Sequence, residues 1–179
     1  GLYYDLDNLI RLVEKFQGIK ASNGRIVEFV FVGAGALLDK LKSYTIKQKM
    51  NNVTFIPYQK KENIIYSLNA ADVHWCVNAK GIKGVSCPSK FYGIVACQKP
   101  VLAVLEYETE IRMIIEETKC GLVSEPEDYL NIAKHIQWFI EHADSKQFLQ
   151  MGKNGYEYLN KYFTRDISVH KYIDSIKTL

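Results

Sequence analysis

A doubly wound α/β domain with a parallel sheet is the fold class that the 179-residue chain predicts, on three observations. Helix-like and strand-like segments alternate along nearly its whole length. The strand-like segments are short apolar runs with little polar alternation, as expected where helices cover both faces of a sheet. The composition, 47% hydrophobic and 24% charged, supports one sizeable core and excludes a disordered chain or a disulfide-stapled miniprotein. The expected organisation is one domain over 1–179, with 164–179 a terminal helix.

Leu6, Leu9, Ile10, Val13 and Phe16 recur at helical spacing after Asp5 and Asp7, either of which suits a helix start. Ile26 to Val32 reads as a buried strand that ends at Gly33-Ala-Gly35, and a helix follows over about 36–49. A short strand spans Val53 to Pro57, a helix Lys61 to Asn69, and a strand Val73 to Val77. Pro88 opens the next helix, Pro100 to Leu105 is a strand, and about 109–118 is helical. Gly121 to Val123 is a short strand; the remainder is helical, with breaks near Asp144 and at Thr164-Arg165-Asp166. The first element is a helix, whereas a doubly wound unit normally opens with a strand that lies mid-sheet. The expectation is therefore that this chain is a piece of a longer protein, in which residues before Gly1 supply the opening strand.

Lys and Arg number 23 against 20 Asp and Glu, a surplus too small to mark a nucleic-acid partner, which needs clustered cations. Cys76, Cys87, Cys97 and Cys120 show no CxxC spacing, which reads as free thiols in a reducing cytoplasm and not as a zinc site. No apolar run approaches the roughly 20 residues that span a bilayer. The expected location is the cytoplasm, with peripheral contact to the inner face of the membrane; scattered Lys153, Lys161, Lys171 and Lys177 are ordinary solvated charges.

In open α/β sheets, ligands sit at the carboxyl ends of the strands. Three loops there carry candidate chemistry. Gly33-Ala34-Gly35 begins like a dinucleotide fingerprint, but Leu38 holds the third glycine position and no ribose-reading acid follows at the required distance, so it reads as a tight turn. The stretch Lys80 to Lys90 has two glycines, Ser86 or Cys87 as a helix cap, and Pro88 in a first turn where a missing N–H does no harm. The amides of Ser89 and Lys90 would then face outward at a helix N-terminus, a place for a phosphate or diphosphate, with the charges of Lys90 and Lys83 beside it. Tyr58, after a buried strand, could flank a nucleobase. Glu106, Glu108 and Glu110 read as a solvated loop and helix start. His74 reads as a hydrogen-bonded strand residue, while Trp138, Phe139, Tyr156, Tyr158, Tyr162 and Tyr172 read as packing of the terminal helices. No metal-ligand set and no nucleophile–base arrangement emerges from spacing.

The runs Asn52 to Tyr58, Ala70 to Val73, Cys87-Pro-Ser-Lys-Phe-Tyr-Gly93 and Ala96-Cys-Gln-Lys-Pro-Val101 resemble the C-terminal half of family 4 glycosyltransferases. The similarity covers nearly the whole chain and is nearest to the bacterial capsule, O-antigen and colanic-acid branch. The resemblance implies the GT-B architecture, two Rossmann-like domains across a cleft, with this one holding a nucleotide-sugar donor. It also implies retention of anomeric configuration, no cofactor or metal, and an acceptor, a lipid-linked glycan, on an N-terminal domain absent from this chain. By the same likeness, Lys90 would neutralise the diphosphate as the catalytic charge. Lys83, Gly84, Ser86, Pro88, Ser89 and Gly93 would surround the donor, with Tyr58 and Ile94 lining base and ribose, and Gly1 to Asp7 would end a glycine-bearing loop. The chain departs from the pattern at Val85 and Gly93, where two glutamates are usual, and at Gln98, where a glycine usually ends the helix. Those departures keep two other readings in play, a nucleotide-sugar 2-epimerase and a non-catalytic binding module.

Overall fold

The computed structural model describes residues 4–177. It contains five strands, β1 (Phe29–Val32), β2 (Val53–Ile56), β3 (His74–Val77), β4 (Val101–Val104) and β5 (Gly121–Ser124). Eight α-helices accompany them, with a 3-10 turn at Lys61–Asn63 ahead of the third: α1 (Leu6–Glu14), α2 (Leu38–Lys47), α3 (Ile64–Ala70), α4 (Lys90–Ala96), α5 (Glu110–Thr118), α6 (Tyr129–Glu141), α7 (Lys146–Tyr162) and α8 (Arg165–Lys177). Every strand pairing is parallel, as the unalternated apolar runs predict. The predicted strand from Ile26 is shorter than expected. Ile26 instead bridges back to Lys20 in a tight antiparallel turn closed by Ala21 N–H to the Arg25 carbonyl, with Gly24 at φ +81°. The part of the opening-loop reading that falls on residues 1–3, and the last two residues of the terminal helix, lie outside the described residues.

Strands β1–β2 form one sheet and β3–β4–β5 another. The edge of Phe29 meets Trp75 at 6.1 Å between ring centroids, and one core of Leu9, Val13, Phe29, Val77, Leu102, Ile132 and Phe139 runs beneath both sheets. No ladder joins β1 to β3 among the described residues. Alternate amides of β1 reach toward β2 (Phe29 to Asn52, Gly33 to Ile56), and those of β3 toward β4 (His74 to Pro100, Asn78 to Val104). By the alternation of a parallel ladder, the backbone groups of Val30, Val32, Trp75 and Val77 point away from these partners. In the common strand order an opening strand lies between the strands that correspond to β1 and β3.

Strand β4 is the centre of the three-stranded sheet. All four of its residues are at most 2% exposed, and its Val and Leu side chains each contribute roughly 1.5–3 kcal/mol through burial. On its other face, Phe91, Ile94 and Val95 of α4 and Ile111, Ile114 and Ile115 of α5 pack on Cys76, Val101, Ala103 and Leu105. Helix α7 lies against α4, and two of its glycines permit the approach. A Cβ on Gly152 would fall 1.9 Å from the Gln98 carbonyl oxygen, and one on Gly155 2.7 Å from a Val95 methyl. Most of the aromatic residues of α6 and α7 pack as predicted, with Trp138 edge-on to Phe139 and Tyr158 against Phe163, but Tyr156 is exposed. Tyr172 is exposed as well. Helix α8 buries none of its residues, and Val169, Tyr172, Ile173 and Ile176 stand exposed along one stripe.

Candidate functional site

Because the strands are parallel, the loops after β1 to β5 gather at one edge of the domain. The segment between β3 and α4 is the longest of them and carries most of the predicted site. It leaves β3 at Asn78, a buried residue whose side-chain amide donates to the Ser86 carbonyl at 3.0 Å. Gly81 and Gly84 adopt φ +82° and +76°, the left-handed conformation that a side chain would strain. Within the loop, the Val85 and Ser86 amides both return to the Ile82 carbonyl.

Helix α4 begins at Lys90, two residues later than Pro88 predicts. Cys87, Pro88 and Ser89 make a tight turn in which the Ser89 amide donates to the Cys87 carbonyl at 2.8 Å, and the Pro88 carbonyl accepts from Phe91. The Ser89 amide is therefore engaged, contrary to the expectation that it faces outward free, and neither Ser86 nor Cys87 caps the helix through its side chain. The Lys90 amide has no acceptor among the described residues. The Lys90 ammonium, exposed and without a carboxylate partner there, stands 5.7 Å from the centre of the Tyr4 ring.

The other cations of the loop are already matched. Lys83 pairs with Glu108 at 2.9 Å and Lys80 with Glu127 at 2.8 Å, so Lys83 does not offer the free charge predicted for it. Glu106, read from sequence as solvated, takes the loop's backbone instead. Its Oε2 accepts from the Ile82 amide at 3.0 Å and the Lys83 amide at 2.8 Å. The nearby N–H dipoles of Gly81 and Lys83 first, then that of Ile82, together with the Lys83 charge, lower the titration of the Glu106 carboxyl.

Ile94 and Gly93 are also placed differently from the prediction. Ile94 is 1% exposed, on the same inward stripe of α4 as Phe91 and Val95, and so packs the core and lines no surface. Gly93 faces α3: a Cβ there would meet the Leu68 side chain at 3.2 Å. Tyr58 is 78% exposed beyond β2, on the outer strand of the other sheet, and shares no recorded contact with the loop before α4. His74 behaves as read. Its Nε2–H donates to the Leu68 carbonyl at 2.8 Å, and burial, ahead of the Lys90 and Lys99 charges, pushes its titration down. The Cys76 thiol, fully buried beneath the site, is pushed up to about 12 by burial. Lys83, Gly84, Ser86, Pro88, Ser89 and Lys90 thus lie together on one open ledge, while Tyr58 and Ile94 do not join them. A concavity of about 220 Å³ lies elsewhere, between α1 and α2, beside Asp7, Arg11 and Lys40.

A parallel α/β half-domain with a basic ledge at its strand ends is the class that this fold and site define. Residues 4–158 match the family described as Glycosyl transferases group 1, and the chain belongs to that family. A probable glycosyltransferase of Pseudomonas aeruginosa, WbjE, is 30% identical over 144 residues, 79% of this chain. The chain spans about a third of that relative's length, 34%. HepE from Anabaena, solved in complex with UDP and glucose, superposes with a TM-score of 0.78 at 16% identity, over 100% of this chain and 46% of its own. The C-terminal domain of a group 1 glycosyl transferase family protein from Francisella tularensis, LpcC, gives 0.68 at 20% identity, over 92% of this chain and 82% of that one. These likenesses agree with the predicted Rossmann-like C-terminal half of a GT-B enzyme.

Proposed function

We propose that the chain is the donor-binding domain of a retaining family 4 glycosyltransferase. It would move a hexose from a nucleotide diphosphate sugar to a cell-surface polysaccharide precursor of the capsule, O-antigen or colanic-acid kind. The observation that carries the reading is the charge arrangement of the ledge. Lys80 and Lys83 are each neutralised by a glutamate, whereas Lys90 keeps an exposed ammonium without a carboxylate partner, and a backbone amide without an acceptor, among the described residues. A diphosphate leaving group is stabilised by that pairing of a cation with an N–H donor, because negative charge develops on it as the bond between the sugar's anomeric carbon and the diphosphate oxygen breaks. The UDP and glucose bound to HepE support the same reading. Lys90 would stabilise the departing diphosphate, with the turn from Ser86 to Ser89 shaping the phosphate approach. The acceptor, a lipid-linked glycan, would sit on a second domain at the cytoplasmic face of the membrane, and no metal or cofactor is called for. Among the described residues no helix is long and apolar enough to cross a membrane.

The test is calorimetric titration with UDP, GDP and their sugars. A charge-assisted contact contributes roughly 1.5–3 kcal/mol, so Lys90→Ala should weaken binding by about tenfold or more, and the already paired Lys83→Ala by far less. Equal losses in the two variants, or no nucleotide binding at millimolar concentration, would refute the assignment. One observation favours a second reading, a nucleotide-binding module without turnover: Gly93, where the resemblance puts a glutamate, carries no side chain, and a Cβ there would stand 3.2 Å from Leu68. Release of free UDP from a nucleotide sugar by the two-domain protein separates the two.

A further inference from the structure

We infer that Glu106 is a positioning residue of the donor ledge, a carboxylate from the end of β4 that fixes the loop between β3 and α4 before any nucleotide arrives. This rests on the donor reading above. The turn made by the Val85 and Ser86 amides on the Ile82 carbonyl closes within the loop and does not tie its first half to the rest of the domain. None of residues 80–86 is buried, and nothing lies within 4 Å of where a Cβ would stand on Gly81 or Gly84, so packing does not order it. The ion pairs of Lys80 with Glu127 and Lys83 with Glu108 join exposed side chains, and such pairs contribute little. The Asn78 amide ties only the far end, at Ser86. From outside the loop, Glu106 grips the middle through hydrogen bonds from two consecutive amides to one ionised oxygen, a class roughly twice as strong as neutral ones.

A second consequence follows from the same contacts. Successive amides around a left-handed glycine make a nest that attracts anions. Here the nest is filled from within, so the amides of Ile82 and Lys83 are not a phosphate site. The loop acts as a preformed wall, and the donor's diphosphate is left to the segment from Ser86 to Lys90. Ordering the wall in advance removes that cost from the binding step.

Glu106→Gln and Glu106→Ala remove the same negative charge, but only Gln keeps an oxygen at the nest. The difference between them therefore isolates loop order from the charge felt by an anionic ligand. Hydrogen exchange over residues 80–86 and UDP titration are measured on the wild type and both variants. Expected are exchange faster by about an order of magnitude in Glu106→Ala, with Gln intermediate, and UDP binding about fivefold weaker in Ala than in Gln. Glu106→Asp, which retains the charge but falls one methylene short, replaces Ala if Ala does not fold, and is compared with the wild type. Equal exchange in all forms, or equal UDP affinity in Gln and Ala, overturns the role. If the wild type binds no nucleotide, the donor reading fails and the role at the ledge with it, while the exchange data still report whether Glu106 fixes the loop.

Discussion

Gly152→Ala should destabilise the domain, against the usual gain from replacing a helical glycine. Within an exposed helix the change would gain roughly 1 kcal/mol. At this position, in the middle of α7, the new Cβ falls 1.9 Å from the Gln98 carbonyl oxygen and 2.7 Å from its carbon. That is roughly 1.5 Å short of an ordinary carbon–oxygen contact. The obstacle is backbone, so no rotamer change relieves it. Either α7 withdraws from α4, opening the contact of Gly155 with Val95, or the turn after α4 shifts. Overpacking of this kind costs about 1–3 kcal/mol, occasionally more, and exceeds the propensity gain. For a domain of this size 1 kcal/mol moves Tm by roughly 2–4 °C, so the expected fall is several degrees, with a matching drop in the urea midpoint at unchanged slope. Lys153→Ala, on the exposed side of the same helix, should stay within about 0.5 kcal/mol of the wild type. A Gly152→Ala midpoint equal to or above that of the wild type would show that α7 does not approach α4 as closely as described.

Gln98 closes α4 at φ +54°, with Lys99 N–H returning to the Ile94 carbonyl and Gln98 N–H to that of Val95. Gln98→Gly should therefore add about 0.5–1 kcal/mol, seen as a higher thermal midpoint, since the strain of a left-handed residue outweighs the flexibility that glycine gains when unfolded. Cys87 is exposed beside Pro88 and Cys97 partly so, whereas Cys76 and Cys120 are buried. A chromogenic disulfide reagent should thus reach the first two in the native protein and the others only on unfolding, and saturating UDP should slow Cys87 but not Cys97. Burial lowers the titration of both His74 and His135, so the unfolded chain binds protons that the folded one refuses. Stability should then fall as pH drops from 7.5 to 5.5, below the ordinary histidine range, and His74→Gln should flatten that fall in urea unfolding.

The strands were readable because their signal is local. Val101 to Leu105 is apolar at every position, short and bounded by Pro100, as suits a strand covered on both faces. The same local reading misplaced the start of α4 by two residues, because Pro88 suits either a first helical turn or the tight turn it makes with Cys87 and Ser89. Ile94 is legible as a core residue from the sequence itself. Phe91, Ile94 and Val95 follow helical spacing and mark the buried face, so the middle residue of that stripe was an unlikely pocket wall. Glu106 is different in kind. Its amide partners lie 23 and 24 positions earlier, and Glu127 lies 47 positions from Lys80. Such contacts depend on which strand ends are neighbours, and no spacing rule along the chain reports that.

Two independent lines converge on Lys90. The first is topological: ligands in an open parallel sheet sit where the strand order reverses, and here that point is between β1 and β3, whose facing edges carry no ladder among the described residues. The segment that leaves β3 leads directly to Lys90. The second is electrostatic. Along the same rim Lys80, Lys83 and Arg112 are each matched, by Glu127, by Glu108, and by Glu116 with Glu125. The pairs of Lys80 and Lys83 are exposed and add little stability, whereas that of Arg112, with 13% of its side chain exposed, is more firmly held. All of them cancel charge over the distance at which an anion approaches. The cation left unmatched on the β3–α4 segment is therefore the one that a diphosphate would feel, and it lies where topology alone would place the ligand.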